Sequence, residues 1–151
     1  MRLPPPEEIE RQVLAMPHVQ AGVRKVAVEV FSEAELLARE RAFDLGEYAE
    51  GMQIEQTPGP GLRVVATDRK SEWLEQGTGI HGPRRQPIRP VKGKFLVFRL
   101  GPESKHNSKD RPLIFATEVK GRPASWVMRD ASKRVAERLG LRWRNLRDFQ
   151  G

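Results

Sequence analysis

Hydrophobic positions in the first third of the chain recur with the spacing of an α-helix. Between residues 17 and 41, apolar side chains repeat at intervals of three, four or seven positions, which places them on one helix face. A shorter helix is predicted over residues 8–16, before a proline that cannot donate an intrahelical hydrogen bond. The Ser-Glu-Ala-Glu sequence at residues 32–35 resembles a capping box, so a break inside the long helix is the alternative. The Asp-Leu-Gly sequence at residues 44–46 is expected to end this helix.

Shorter apolar runs in the middle of the chain predict strands. Residues 48–56 and 62–67 flank a Thr-Pro-Gly-Pro-Gly sequence, which is a hairpin signal. Two more strands are predicted over residues 95–100 and 112–119, joined by a polar loop, and one helical turn is predicted over residues 71–76.

A last helix is predicted over residues 125–139, with Ser125 as its N-cap and apolar side chains at every fourth position. Trp73 and Trp126 are expected in the core, because large aromatic side chains gain most from burial. The order of elements predicts an α+β fold. It comprises an antiparallel sheet of about four strands, with a long N-terminal helix and a C-terminal helix packed on it.

The length of 151 residues fits one domain, residues 1–151. Within it we expect an extended proline-rich arm at residues 1–7, a long basic loop at 77–93 and a basic tail at 141–151. The chain has no cysteine, which excludes disulfides and thiolate chemistry. No membrane span or signal peptide is expected, since no apolar run approaches the roughly 20 residues of a spanning helix.

Charge is distributed unevenly along the chain. Residues 7–55 contain eleven acids and five bases, a net charge of −6, whereas residues 79–99 contain six bases and no acid. Residues 120–151 contain nine bases and three acids, a net charge of +6. This asymmetry fits either nucleic-acid binding or head-to-tail contact between identical subunits, and composition does not separate the two.

Several patterns resemble chemical motifs but lack the required context. Residues 77–82 match G-x-G-x-x-G, yet the prolines that follow exclude the helix of a dinucleotide site. The three histidines lack metal-ligand spacing, and no serine has the glycines of a nucleophile elbow. Glu72 and Glu75 flank Trp73 and are interpreted as a solvated pair. We therefore expect no enzyme activity, cofactor, metal or small-molecule substrate.

Two basic groups are the candidate contact residues. Five in the long loop could contact phosphates of a DNA channel or another subunit: Arg84, Arg85, Arg89, Lys92 and Lys94. Four in the tail alternate bases with an aromatic side chain and could contact a protein partner: Arg142, Trp143, Arg144 and Arg147. For both groups, a solvated surface is the alternative interpretation.

The sequence resembles the bacteriophage neck protein family, also described as putative tail components. The similarity spans residues 23–139 and depends on the order of common short pieces. These are Gly-Glu-Tyr-Ala at 46–49, Trp-Leu-Glu-Gln-Gly-Thr-Gly at 73–79, Ile-Arg-Pro at 88–90, Lys-Phe-Leu-Val-Phe at 94–98, Val-Lys-Gly at 119–121, and Met128 with Ala131. One departure is residues 42–46, where many relatives carry Ala-Pro-Val-x-Thr-Gly.

The resemblance implies a structural, non-enzymatic subunit of the connector between phage head and tail. Such a subunit would form a homo-oligomeric ring, bind other head-to-tail joining proteins, and belong to the virion after assembly in the host cytoplasm. Basic loops could then face packaged DNA. The alternative is a small basic nucleic-acid-binding module that acts alone.

Overall fold

A computed structural model describes residues 4–41, 45–99 and 112–144. Its helices are α1 (Pro6–Leu14), α2 (Pro17–Arg41), α3 (Leu45–Glu50), α4 (Ser71–Gln76) and α5 (Val127–Arg138), with a 3-10 turn at Gly79–His81. Its strands are β1 (Met52–Gln56), β2 (Leu62–Ala66), β3 (Leu96–Arg99) and β4 (Leu113–Ala116). The predicted polar loop, the first three residues of the arm and the tail from residue 145 lie outside the described ranges.

The long N-terminal helix and the C-terminal helix are confirmed, and they pack against each other. Arg41, the last residue of α2, pairs with Asp130 near the start of α5, at 2.6 Å. Glu33, farther back along α2, pairs with Arg134 at 3.1 Å, so the two helices run antiparallel. The α2 helix continues through residues 32–35 without the alternative break. Burial of the neighbouring Ala34 outweighs the local capping signal.

The strands form two separate antiparallel hairpins, so the predicted sheet of about four strands is wrong. One hairpin pairs β1 with β2, from Met52 opposite Ala66. The other pairs β3 with β4, from Leu96 opposite Ala116. A single sheet would need an edge of one hairpin to bond to an edge of the other, and no such ladder joins the described strands. The first hairpin packs on α2, whereas the main contacts of the second are between its own strands.

The core lies where α2, α3, α4 and α5 meet the first hairpin. Its buried members are Ala34, Leu37, Ala38, Tyr48, Met52, Leu74, Val127 and Ala131. Tyr48 reaches it from α3, a helix at the start of the predicted strand 48–56. Neither Trp73, which is 54% exposed, nor half-buried Trp126 belongs to this core, contrary to expectation.

The N-terminal arm is shorter than predicted. Helix α1 begins at Pro6 rather than residue 8, because proline fits the first turn, where its missing N–H has no intrahelical role. None of its residues is buried. Near the end of α1, the side chain of Gln20 on α2 donates hydrogen bonds to the Leu14 carbonyl at 2.6 Å and to the Pro60 carbonyl at 2.7 Å. This contact places α1 beside the β1–β2 turn, at the N-terminal end of α2.

Candidate functional site

The Trp-Leu-Glu-Gln-Gly-Thr-Gly sequence begins on α4, the predicted helical turn. Leu74 points into the core, whereas its neighbour Trp73 is exposed. Successive helical residues differ in direction by about 100°, so one turn cannot bury both side chains against the same surface. The turn orients its last carboxylate, Glu75, toward the core.

Glu75 joins three elements through one oxygen atom. Its Oε1 accepts a 2.7 Å hydrogen bond from the Tyr48 hydroxyl on α3 and a 2.9 Å bond from the Met128 backbone N–H on α5. The second bond satisfies an N–H in the first turn of α5, which has no intrahelical acceptor. Glu75 therefore accepts a hydrogen bond from the N-terminus of α5. It is not half of a solvated carboxylate pair with Glu72.

The predicted N-cap of α5 is wrong. The helix starts at Val127 rather than Ser125, and its N-cap residue is Trp126, whose φ of 51° is left-handed. Ser125 instead donates its backbone N–H to the Leu74 carbonyl at 2.7 Å. The N-terminus of α5 is capped instead by the carboxylate of Glu75, which is distant in the sequence.

The Gly-Thr-Gly part of the motif forms a tight crossing of two backbone segments. Thr78 N–H donates to the Arg122 carbonyl and Ile80 N–H to the Lys120 carbonyl, each at 2.8 Å. The Thr78 hydroxyl accepts a 2.9 Å bond from the Arg122 N–H. A Cβ on Gly79 would overlap the Lys120 carbonyl, and φ at Gly79 is +63°. The glycines therefore permit close contact between the two backbone segments.

The crossing leads into the second hairpin. Ile88 and Val119 exchange backbone hydrogen bonds of 2.8 and 2.9 Å, and β3 and β4 follow. Phe95 and Phe115 meet edge to face, with ring centroids 6.4 Å apart. One face of the hairpin is exposed and mostly apolar, with exposed Arg99 opposite Leu113 at one end. We name it the hairpin apolar face, formed by Phe95, Val97, Leu113 and Phe115.

The five basic residues predicted in the long loop lie on one exposed segment, but they are not equivalent. Arg89 pairs with Glu118 at 3.2 Å. No ion pair or hydrogen bond to a described residue involves the side chains of the other four, which are Arg84, Arg85, Lys92 and Lys94. These four charges remain available for an external anionic group.

The described part of the basic tail returns to its own helix. Arg142 and Arg144 are exposed, whereas Trp143 is half-buried, and its indole N–H lies 3.4 Å from the Ser132 hydroxyl on α5. Arg147 lies outside the described residues. Among the described residues, no side-chain hydrogen bond or ion pair joins this tail to the basic loop segment.

An open cleft of about 490 Å³ lies beside the crossing, lined by Arg41, Arg122, Trp126, Asp130 and the backbone between them. Two bonds from Arg41 Nη1 span it, to Asp130 at 2.6 Å and to the Ser125 carbonyl at 2.9 Å. Burial raises the pKa of the Asp130 carboxyl, but hydrogen bonds from Arg41 and Arg129 outweigh burial and hold that pKa below its ordinary value. The charges of the cleft are thus largely paired with one another.

Sequence reasoning missed two exposed apolar surfaces. One is the hairpin apolar face, because alternation of apolar residues predicts a strand but not which of its faces stays exposed. The other we name the α1 apolar face, formed by Ile9 and Val13 on α1 and by Met16 just after it, all exposed. The sequence shows the spacing of these residues, but it does not show that they stay exposed in the described part of the chain.

Among residues 4–41, 45–99 and 112–144, no group of three or more potential ligands could hold a metal ion. No helix in those ranges is long and apolar enough to cross a membrane. In comparisons with known proteins, no family model, curated protein or solved structure matches the chain.

Proposed function

We propose that the chain is a structural subunit of a bacteriophage head-to-tail connector, with no catalytic role. The observation that carries the proposal is the hairpin apolar face, which leaves aromatic and aliphatic side chains exposed on one surface. Contiguous apolar surfaces of this kind are typical of protein contacts. They suit a subunit that is complete only inside an assembly.

The resemblance to phage neck proteins supports the proposal through the roles of the shared residues. In the sequence 73–79, Leu74 is buried, Glu75 ties α3 to α5, and the glycines permit the crossing with residues 120–122. Residues with these roles would stabilise the fold rather than take part in catalysis. On this interpretation, neck proteins would share the motif because they share the crossing.

A connector subunit would contact copies of itself in a ring and adjacent head or tail proteins. The free cations of the loop segment, Arg84, Arg85, Lys92 and Lys94, would then face either a neighbouring subunit or packaged DNA. The same four charges favour the second candidate function, a nucleic-acid-binding module. Four unpaired cations on one exposed loop segment can neutralise phosphates without reading base sequence.

A nonsense variant of the gene tests the connector role in the phage or prophage that we propose encodes it. We expect induced lysates to contain DNA-filled heads and separate tails in electron micrographs, and purified protein to restore joining when added. The chain should also be present in gradient-purified particles. Normal joined particles from the nonsense variant, or particles without the chain, would overturn the proposal.

A further inference from the structure

The two exposed apolar faces of this chain adjoin segments that contact opposite ends of α2. The α1 apolar face is at the N-terminal end of α2, where Gln20 joins α1 to the β1–β2 turn. The backbone crossing that leads to the hairpin is at the other end, where Arg122 donates to the Arg41 carbonyl at 3.0 Å. The 25 residues of α2 span about 36 Å at 1.5 Å per residue.

This distance separates the α1 apolar face from the crossing in the same molecule. Both faces are exposed in the same molecule, so neither covers the other there. Two such unlike surfaces can meet between copies, in a heterologous contact that repeats. We propose that the α1 apolar face of one copy packs against the hairpin apolar face of a second copy. The occupant of the hairpin face is therefore a second copy of this chain, through its first helix.

The shapes of the two faces are compatible. On α1, Ile9 and Val13 are four residues apart and lie on one side of the helix, and exposed Met16 follows two residues after the helix ends. On the hairpin, Val97 lies opposite Phe115 on the exposed face, whereas the other face, with Leu96 and Phe98, is half-buried. An amphipathic helix laid on an apolar surface is a common mode of recognition.

The charges around the two faces are complementary. Helix α1 contains three acids, Glu7, Glu8 and Glu10, and one base, Arg11, a net charge of −2. Residues 83–99, which lead into and include β3, contain six bases and no acid. Lys92 and Lys94 directly precede Phe95. Opposite charges flanking two apolar faces favour this pairing over hairpin-to-hairpin or α1-to-α1 contact, which would bring like charges together.

Repetition of this contact around a closed ring rests on the proposed connector function, but the pairwise contact can be tested in purified protein. The chain has no cysteine, so single cysteines report specific proximity. Val13→Cys and Val97→Cys full-length chains are mixed, oxidised and analysed for disulfide-linked dimers. Val28→Cys mixed with Val97→Cys is the matched control, because Val28 is as exposed as Val13, at 48% against 42%, but lies on α2.

We expect cross-linked heterodimer from Val13→Cys and Val97→Cys to exceed the control by about tenfold, the ratio that 1.4 kcal/mol of contact gives. Replacing Glu7, Glu8 and Glu10 with lysine in the Val13→Cys chain should lower the yield. Adding Lys92→Glu and Lys94→Glu to the Val97→Cys chain should restore it. Restoration by the second charge change separates a specific contact from general loss of folding.

A yield equal to the control, or a predominant homodimer of either single-cysteine variant, would overturn the proposed contact. These results are distinguishable from failure of the connector role. If the nonsense variant gives separated heads and tails but the expected cross-link is absent, the connector role is supported and the proposed contact is overturned. If the cross-link forms but the nonsense variant gives normal joined particles, the contact is supported and the connector role is overturned.

Discussion

The Tyr48 hydroxyl donates a 2.7 Å hydrogen bond to Glu75 Oε1. This bond joins α3 to α4, and the same oxygen accepts the Met128 N–H of α5. Three elements that are distant in sequence therefore share one carboxylate. Glu75, which the sequence analysis interprets as half of a solvated pair, therefore holds parts of the fold together.

Replacing Glu75 with alanine should destabilise the protein strongly. The change leaves the buried Tyr48 hydroxyl and the first turn of α5 without their acceptor, which we expect to lower the free energy of unfolding by about 3 kcal/mol. Glu72→Ala is the matched control on the same helical turn, and its exposed side chain should change stability by no more than about 0.5 kcal/mol. Urea denaturation followed by tryptophan fluorescence measures both. Equal effects of the two substitutions would contradict the role assigned to Glu75.

Tyr48 should resist ionisation in the folded protein. Burial, the charge of Glu75 and the hydrogen bond to Glu75 raise the pKa of the Tyr48 hydroxyl well above its ordinary value of 10.0. The folded pKa is raised, so the associated stability is complete below pH 10 and decreases as pH rises above the unfolded pKa of about 10.

The chain contains one tyrosine, so tyrosinate absorbance reports this group alone. We expect no tyrosinate signal just above pH 10 while circular dichroism remains native, and a signal that appears together with unfolding at higher pH. The Tyr48→Phe variant supplies the baseline. Ionisation with an ordinary pKa in the native protein would show that the hydroxyl is not buried as described.

Local periodicity was sufficient to predict the helices α2 and α5, because each presents apolar side chains to the core with regular spacing. The Pro-Gly turn similarly predicted the β1–β2 hairpin. Pairing between hairpins was not predictable, since the period of a strand says nothing about which edge it bonds to. The predicted four-stranded sheet failed for this reason, although each pair of neighbouring strands was expected.

The candidate site shows the same division between local and distant causes. The basic loop residues were found from charge alone, but the pairing of Arg89 with Glu118 required knowledge of the Ile88–Val119 bridge. Ser125 looked like an N-cap because nearby sequence is all that a capping rule examines. The actual acceptor, Glu75, is 53 residues from Met128, and no local pattern connects them.

Three glycine-to-alanine substitutions should separate backbone strain from steric overlap. Gly79→Ala imposes both, because φ is +63° and the new Cβ would overlap the Lys120 carbonyl. Gly93→Ala imposes only the strain of φ at +90°, and Gly59→Ala imposes neither. We expect losses in the free energy of unfolding of more than about 3 kcal/mol, about 1–2 kcal/mol and about zero, respectively.

Thermal and urea denaturation of the three variants measure this order. Should Gly79→Ala fail to fold, its insolubility beside soluble Gly93→Ala would still support the crossing. A Gly79→Ala variant as stable as Gly59→Ala would show that residues 77–79 and 120–122 do not approach as closely as described.

The contribution of the Arg41–Asp130 pair to stability should decrease at acid pH. The folded pKa of Asp130 is lowered, so its contribution is present above the unfolded value near 3.8 and is lost as pH falls through the folded value. We expect Asp130→Asn to lower the free energy of unfolding by about 1 kcal/mol at pH 7, and by less below pH 3.8. Glu118→Gln, which removes an exposed pair with Arg89, is the control. A deficit in Asp130→Asn that stays constant with pH would contradict the charge-based explanation.

The free cations of the loop segment should dominate any binding of the isolated chain to DNA. Replacing Arg84, Arg85, Lys92 and Lys94 with alanine should weaken duplex binding and reduce the salt slope of the binding constant by up to about 3.6, since each phosphate contact contributes about 0.9. The matched control replaces four other exposed bases that the described structure leaves unpaired, Arg24, Lys25, Arg39 and Lys133. Filter binding at several salt concentrations compares the two variants, which have the same net charge. An equal loss in both would assign DNA binding to overall charge, whereas a loss confined to the loop variant would identify residues 84–94 as the phosphate-contacting surface.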